Sequence, residues 1–443
     1  MTAAIELESG GSSAARFSRL VDSRIDVKHL IIGNGPAGVV AAEILRKRAP
    51  KDEITLLGDE PEPPYSRMAI PYLLMGDIAE AGTYLRKEPK HFEKLGIALA
   101  TGRAHSVDSS KRQVRLDSGQ VMSYDRLLIS TGVTPNRPPI PGVDLPNVLT
   151  CWTLADARKL LAVAKPGAKV VQMGAGFIGC IIMEALAARG VDLTIVEMGN
   201  RMVPRMMTEG AGAMIKTWCE RKGIRVLTDT KVQKIEPGRG RLAASLSDGT
   251  LQECDVIISA TGVSPNIAWL KGSGIACEQG ILVDGRMETN VAGVYAAGDV
   301  SQSPEYPSGQ RVINAIQPVA VDEARVAALN MAGASVVSPG NMAMNVLDTV
   351  GLIASSFGQW AGVPREKGGS SVELRDDKAF RYIRLEFQED ALIGATTLGL
   401  TDHVGVIRGL IQGHVKLGGW KDKLIDDPTR LMDSYIACAQ KAA

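Results

Sequence analysis

Two glycine-rich turns of one pattern constrain this chain more than any other feature. An apolar run at residues 27–34 ends in Gly33-Asn34-Gly35-Pro36-Ala37-Gly38, and a helical pattern follows at residues 39–47. A second apolar run at residues 169–173 ends in Gly174-Ala175-Gly176-Phe177-Ile178-Gly179, and a second helical pattern follows at residues 180–189. Each unit adds another short strand, at residues 53–57 and 192–196. Each also closes on a matching segment, residues 125–136 and 255–266, with the Asp, Thr-Gly-Val, Pro and Asn in register. One G-x-G-x-x-G is weak evidence; two in strand-turn-helix context are strong. The first Gly of each permits the tight turn, the second lets backbone approach a pyrophosphate, and the third lets helix and strand pack closely. The helix N-terminus then offers free N–H groups to the phosphates. The chain is therefore expected to be an α/β protein with two Rossmann-like dinucleotide-binding units.

The acidic residue after the second strand sorts the nucleotides. In the second unit the strand runs directly into Glu197, whose carboxylate can accept adenosine ribose hydroxyls and repel a 2′-phosphate, favouring NAD(H) over NADP. Arg201 nearby is read as a solvated loop charge. In the first unit Asp59 is the ribose candidate, with Glu60 either a solvated charge or a contact.

Composition excludes several alternatives. Lys plus Arg is 50 against 49 Asp plus Glu, a net charge of +1, so the chain is not a polybasic nucleic-acid binder. The cysteines, at 151, 180, 219, 254, 277 and 438, form no C-x-x-C and read as reduced, buried thiols of a cytoplasmic protein. The five histidines form no ligand cluster, so no metal site is expected. No apolar run is long enough to span a membrane. Residues 1–26, with Gly10-Gly11-Ser12-Ser13 at the centre, carry no secretory apolar region and are expected to be a flexible tail.

A late segment, Gly293-Val294-Tyr295-Ala296-Ala297-Gly298-Asp299-Val300, is a short strand ending in Gly-Asp, where Asp299 can reach a ribityl hydroxyl. With the paired fingerprints and paired Thr-Gly segments, it makes residues 27–335 resemble the two-dinucleotide-binding-domain flavoproteins. That family is part of the pyridine nucleotide-disulfide oxidoreductase superfamily and includes the ferredoxin, rubredoxin and nitrite reductase flavoproteins and the NADH oxidases. The resemblance implies FAD on the first unit, held by Gly33, Gly35, Pro36, Ala37, Gly38, Asp59, Arg67, Thr131, Gly132 and Asp299. It implies a nicotinamide nucleotide on the second, held by Gly174, Gly176, Ile178, Gly179, Glu197 and Gly262. The loop Pro64-Tyr65-Ser66-Arg67 resembles one that reaches over the flavin, and residues 314–319 begin the run that passes beside its ring.

The departures from that family are equally informative. The thiol-using branches carry a Cys soon after the second strand, and residues 58–84 contain none. Many relatives pair a Glu and a Lys near flavin and nicotinamide; Ile181 and Tyr72 stand at those positions here. Removing both charges costs far less than burying one alone. No side-chain acid or base is identified as catalytic.

Residues beyond about 340 read as a third block: strands at 380–387 and 391–398 joined by a polar turn, helices at 404–412 and 429–437. This resembles the family's α+β C-terminal domain, an interface for a second copy or a different chain, with Trp360 and Trp420 as anchors or core residues. The expected division is 27–145 and 269–337 for FAD, 146–268 for NAD and 338–443 for the interface. The expected activity is FAD-dependent NAD(H):acceptor oxidoreduction, with hydride passing between nicotinamide and FAD and single electrons exchanged with an external protein redox centre. The partner is expected to be an iron–sulfur or other metalloprotein, with the chain as flavoprotein subunit of a larger complex. The alternatives are an oxygen-using NADH oxidase and a non-catalytic FAD-binding subunit.

Overall fold

The computed structural model describes residues 27–238, 240–306 and 308–439; the expected tail at 1–26 lies outside them. The apolar runs become parallel strands buried at every position but the first, as expected for strands covered on both faces. The first sheet orders Val294–Ala296, Arg126–Ile129, Lys28–Ile32, Glu53–Gly58 and Ile97–Thr101, all parallel. The second repeats the arrangement with Arg225–Leu227, Asp192–Val196, Lys169–Met173, Val256–Ser259 and Val148–Leu149. In each, the fingerprint strand is central, so its glycine turn opens at the carboxyl edge where doubly wound sheets bind ligands.

The fingerprint helices run Pro36–Arg48 and Phe177–Ala188 and begin immediately after the middle glycines, earlier than the apolar periodicity alone suggests. Pro36 at the first helical position explains part of this, because its fixed φ suits a helix start and its missing N–H is not needed there. The first helix packs on Gln317–Met331. That approach is close because the contact is small: a Cβ on Gly298 would lie 3.3 Å from the Ala320 Cβ and 3.5 Å from the Ala37 Cβ.

The two closing segments that match in sequence also pair with each other. Val133–Pro135 runs antiparallel to Val263–Pro265. Thr134 Oγ1 donates to Asn266 Oδ1 at 2.7 Å while Ser264 Oγ donates to Asn136 Oδ1 at 2.6 Å. The Asn136 and Asn266 amides donate to the Gly262 and Gly132 carbonyls at 2.9 and 3.0 Å. The repeat is therefore joined across a local two-fold.

The third block is an antiparallel sheet ordered Met344–Thr349, Leu352–Gly358, Ala391–Leu398, Arg381–Gln388 and Gly369–Asp376. Helix Val404–Gln412 covers it through Ile407, Leu410 and Ile411, and Trp420 packs against the same core. Trp360 is half-buried. The edge strand Met344–Thr349 leans on helix Phe177–Ala188, which brings the third block to the site described next. Among the described residues, no helix is long and apolar enough to cross a membrane, and no group of three His, Cys, Asp or Glu side chains could hold a metal.

Candidate functional site

A cavity of about 650 Å³ opens where the three parts meet, within the range of small-molecule sites. Its floor is the first fingerprint turn with Thr131, Gly132 and the Gly298–Asp299 strand end. Phe177, Ile178 and Ile181 of the second fingerprint helix form a facing wall, and Met344, Asn345 and Val346 complete the rim. One open space thus touches both repeats.

The six fingerprint glycines divide by what surrounds them. A Cβ on Gly33 would lie 2.1 Å from the Ser130 carbonyl oxygen, and one on Gly38 only 1.9 Å from that of Gly33. In the second unit a Cβ on Gly174 would meet the Ala260 carbonyl at 2.4 Å, and one on Gly179 that of Gly174 at 2.5 Å. These four are demanded by the protein's own packing. The middle glycines, Gly35 and Gly176, have nothing within 4 Å of a Cβ position, and their φ of −73° and −72° suits any residue. No side chain caps either helix. The space and the first-turn N–H groups are left for something that is not protein, which fits a pyrophosphate at each turn.

Asp299 is half-buried and lines the cavity, and among the described residues no side chain hydrogen-bonds to its carboxylate. Burial pushes its carboxyl up to about 6, against the lowering field of Arg67. A carboxylate in a cavity with no side-chain partner, only its own backbone N–H, fits a ligand hydroxyl. Arg67 is held rigidly. Its guanidinium donates to Glu60 Oε1 at 2.6 Å and to the Tyr65 hydroxyl and the Trp152 carbonyl, each at 2.9 Å. It also lies 5.5 Å and 5.6 Å from the Tyr65 and Trp152 ring centres. Glu60 therefore anchors Arg67. Asp59 lines the cavity with its side chain half exposed, 3.6 Å from Arg103.

In the second unit, Glu197 is buried and clasps its own glycine turn: its carboxylate accepts the Ala175 N–H at 2.6 Å and the Gly199 N–H at 2.7 Å. Each oxygen keeps a further lone pair for a ribose hydroxyl. The Arg201 guanidinium is spent on the Met207 and Pro204 carbonyls and Asn200 Oδ1, at 3.0, 3.2 and 2.9 Å. Three of its five N–H donors, one on each nitrogen, are thus already engaged, which holds it away from the role of a 2′-phosphate clamp. Gly262 takes φ +98° at the two-fold joint. Ile181 lines the cavity, whereas Tyr72 is 51% exposed and stands outside the lining.

Three residues on or beneath the cavity carry no motif signal. Trp152 and Cys151 lie in the connection between units, where spacing says nothing about long-range contact. Glu323 lies on a helix stripe that is otherwise apolar (Ala320, Ala324, Ala327), and that anomaly is its only mark in the sequence. Cys151 lines the cavity, yet burial, helped by Asp156, pushes its thiol up to about 12. Burial likewise raises Cys180, Cys219 and Cys254.

Two glycine turns of one pattern, with one cavity running from the first turn to the helix of the second, are the arrangement of a two-nucleotide oxidoreductase. Residues 27–323 match the family model of the pyridine nucleotide-disulphide oxidoreductases, and the chain belongs to that family. It is an FAD-dependent NAD(P)H oxidoreductase, with FAD and NAD(H) as its cofactors. The chain is 32% identical to the NADH-dependent phenylglyoxylate dehydrogenase subunit epsilon of Aromatoleum evansii, over 90% of this chain and 95% of that protein. It is 33% identical to the biphenyl dioxygenase system ferredoxin–NAD(+) reductase component of Paraburkholderia xenovorans, over 70% of this chain and 76% of that one. Among solved structures it resembles the ferredoxin reductase for the CYP199A2 system from Rhodopseudomonas palustris, with TM-score 0.78 and 25% identity over 86% of this chain and 93% of that one.

Proposed function

We propose that the chain is an NAD(H):acceptor oxidoreductase that exchanges electrons with a separate iron–sulfur or other metalloprotein, as the flavoprotein subunit of a larger assembly. The observation that carries this reading is the cavity wall: it joins the first turn to the second fingerprint helix, and the one cysteine among its lining residues, Cys151, is a thiol kept protonated far above neutral pH. A cavity wall without an ionisable thiol offers no internal acceptor beside the cofactor, so electrons leave for an external one. The bound cofactors supply hydride exchange between nicotinamide and flavin. The protein's share is placement. The turns at Gly35 and Gly176 seat the two pyrophosphates, Asp299 takes a ribityl hydroxyl, and Arg67 presents fixed positive charge to the cavity. Phe177, Ile178 and Ile181 keep water from the space between the two sites.

Preference for NAD(H) rests on Glu197, which closes the ribose end to a phosphate, and on the occupied guanidinium of Arg201. The placing of strand Val294–Ala296 beside Arg126–Ile129 supports a split FAD domain, 27–145 with 269–337, around an NAD domain at 146–268. The remaining block, 338–443, is assigned to partner or self-association. The names of the relatives, one a dehydrogenase subunit and two ferredoxin reductases, agree with an external protein partner.

Anaerobic titration of the flavin-loaded protein with NADH tests the reading. Loss of the oxidised flavin absorbance at about one equivalent is expected; flavin that stays oxidised in excess NADH overturns it. Untagged purification from the native host then identifies the partner. NADH-driven oxygen uptake with no stimulation by any protein acceptor would favour the oxidase alternative instead.

A further inference from the structure

We propose that Glu323 is a positioning residue for the cofactor cavity: a buried anion that never touches the ligand space, fixes the Gly298–Asp299 turn and tunes the potential of the group bound above it. The inference rests on the flavin reading of the cavity. Glu323 sits on helix Gln317–Met331 and is 2% exposed. Its Oε2 accepts the Gly298 N–H at 2.7 Å and the Ser301 hydroxyl at 2.6 Å; its Oε1 accepts the Ser303 hydroxyl at 2.5 Å and the Asn341 amide at 2.8 Å. The four donors come from the turn, the strand after it and the segment entering the third block. Four donors on two oxygens is the set an ionised carboxylate accepts. No cation is among these partners.

The charged groups facing Glu323 are few. Asp299 follows Gly298 directly and adds a second negative charge, and Arg67 acts on Asp299 from the opposite loop. Two carboxylates beside one turn leave the cavity floor negative in a weakly screened setting. Negative charge there disfavours adding electrons to whatever is bound, so removing it raises the midpoint potential. The hydrogen bonds also provide for the neutral form. Ser301 Oγ lies 2.8 Å from the Gly298 carbonyl, so its proton can turn there while a protonated Glu323 donates to Ser301. The turn then keeps its geometry and loses the charge. Burial pushes the Glu323 carboxyl up to about 7, which places this change in an accessible range.

The test measures midpoint potential against pH for the flavin-loaded wild type and Glu323→Gln, with flavin affinity of the stripped proteins by fluorescence quenching. The amide of Glu323→Gln can keep its oxygen toward Gly298, so flavin is retained. Its potential is expected to lie above the wild type at pH 8 and to merge with it near pH 5.5. Glu323→Ala drops all four bonds and is expected to weaken flavin binding about tenfold or more. Curves for Glu323→Gln and wild type that run parallel across the range overturn the proposal, as does wild-type affinity in Glu323→Ala. Should Glu323→Gln fail to fold, Ser301→Ala keeps the anion but removes one donor, and the break in the potential curve should move to higher pH; an unmoved break overturns the proposal equally. A wild type that binds no flavin would instead overturn the reading of the cavity, so the two failures are distinct.

Discussion

The middle glycine of the first turn offers the cleanest perturbation. Gly35→Glu places a side chain into space where, apart from its own chain neighbours, no protein atom lies within 4 Å of the new Cβ, at a φ of −73° that Glu adopts freely. The stripped protein should therefore barely notice. Replacing Gly reduces the entropy of the unfolded chain, worth about 0.4–1 kcal/mol in favour of folding. Loss of a glycine N-cap opposes this by a few tenths of a kcal/mol, roughly, and a carboxylate at a helix N-terminus is itself favourable. The bound state is another matter. A carboxylate about 4 Å from one phosphate charge, at an effective dielectric near 20, costs about 4 kcal/mol before any steric clash. That corresponds to roughly three decades in affinity. The assay is flavin content after purification, with calorimetric titration of FAD into the stripped protein and thermal unfolding as the control. Expected is a colourless protein that unfolds within a few degrees of the stripped wild type. Gly38→Ala is the contrasting control. Its Cβ would fall 1.9 Å from the Gly33 carbonyl oxygen, so it should cost about 1–3 kcal/mol or more in the stripped protein itself. A Gly35→Glu protein carrying flavin at the wild-type ratio would refute the assignment of the first turn.

Three further outcomes follow from the geometry. Cys151→Ser should leave NADH-driven flavin reduction and acceptor turnover within about twofold of wild type, because a thiol pushed up to about 12 supplies no thiolate near neutral pH; stopped-flow traces that lose a kinetic phase would assign the thiol a redox part. Arg201→Ala should leave the NADH-to-NADPH preference in kcat/KM unaltered, since its guanidinium is tied to two carbonyls and Asn200; a shift in that ratio would mean that the side chain swings to the nucleotide. The stripped protein should also lose stability with rising pH through Glu323. That carboxyl is raised from its ordinary 4.5 to about 7, so the native state holds its proton more tightly than the unfolded chain. The stabilisation is complete below about pH 4.5 and gone above about pH 7. Urea midpoints across that window should fall more steeply in wild type than in Glu323→Gln, and equal slopes would contradict the buried acid.

The elements that the sequence made legible are those whose side-chain pattern is set locally. The strands Lys169–Met173, Asp192–Val196 and Ala391–Leu398 and the helix Val404–Gln412 fall at the residues their apolar patterns indicate, because each is buried enough for the pattern to be unbroken. The first fingerprint helix begins earlier than periodicity suggests, because Pro36, Ala37 and Gly38 carry no apolar stripe yet already have helical geometry; the second begins at Phe177, inside the glycine motif itself. The glycine pattern also located the cavity floor. What stayed hidden depends on contacts between distant segments. Glu60 stays open between a solvated charge and a ribose contact until Tyr65 and Arg67 bond its carboxylate. Glu197 reads as an open ribose ligand, yet it also holds the Ala175 and Gly199 amides and so sets the turn it belongs to. Glu323 reads as one charge on a helix until the turn, the strand after it and Asn341 converge on its oxygens.

The repeat itself has a structural consequence that similarity between units does not require. Two copies of a βαβ unit could lie anywhere along a chain, each with its own ligand. Here the matching Thr-Gly-Val-x-Pro-Asn segments pair with one another, and each Asn bonds the other copy: Asn136 receives the Ser264 hydroxyl, and Asn266 receives the Thr134 hydroxyl and donates to the Thr131 carbonyl at 2.8 Å. Thr131 and Gly132 line the cavity from one side of this joint, and Val263 and Asn266 from the other. The joint therefore fixes how the first turn faces the second helix, and with it the distance any hydride must cross. Asn266→Ala would remove two bonds across the joint, those to Thr131 and Thr134, while leaving both fingerprints intact. Its expected signature is unchanged flavin content and near-normal NAD(H) binding with a slowed NADH-to-flavin step in the stopped flow. Loss of flavin with an unchanged rate constant in the loaded fraction would place the role of Asn266 in cofactor retention, and the joint would then not set the alignment.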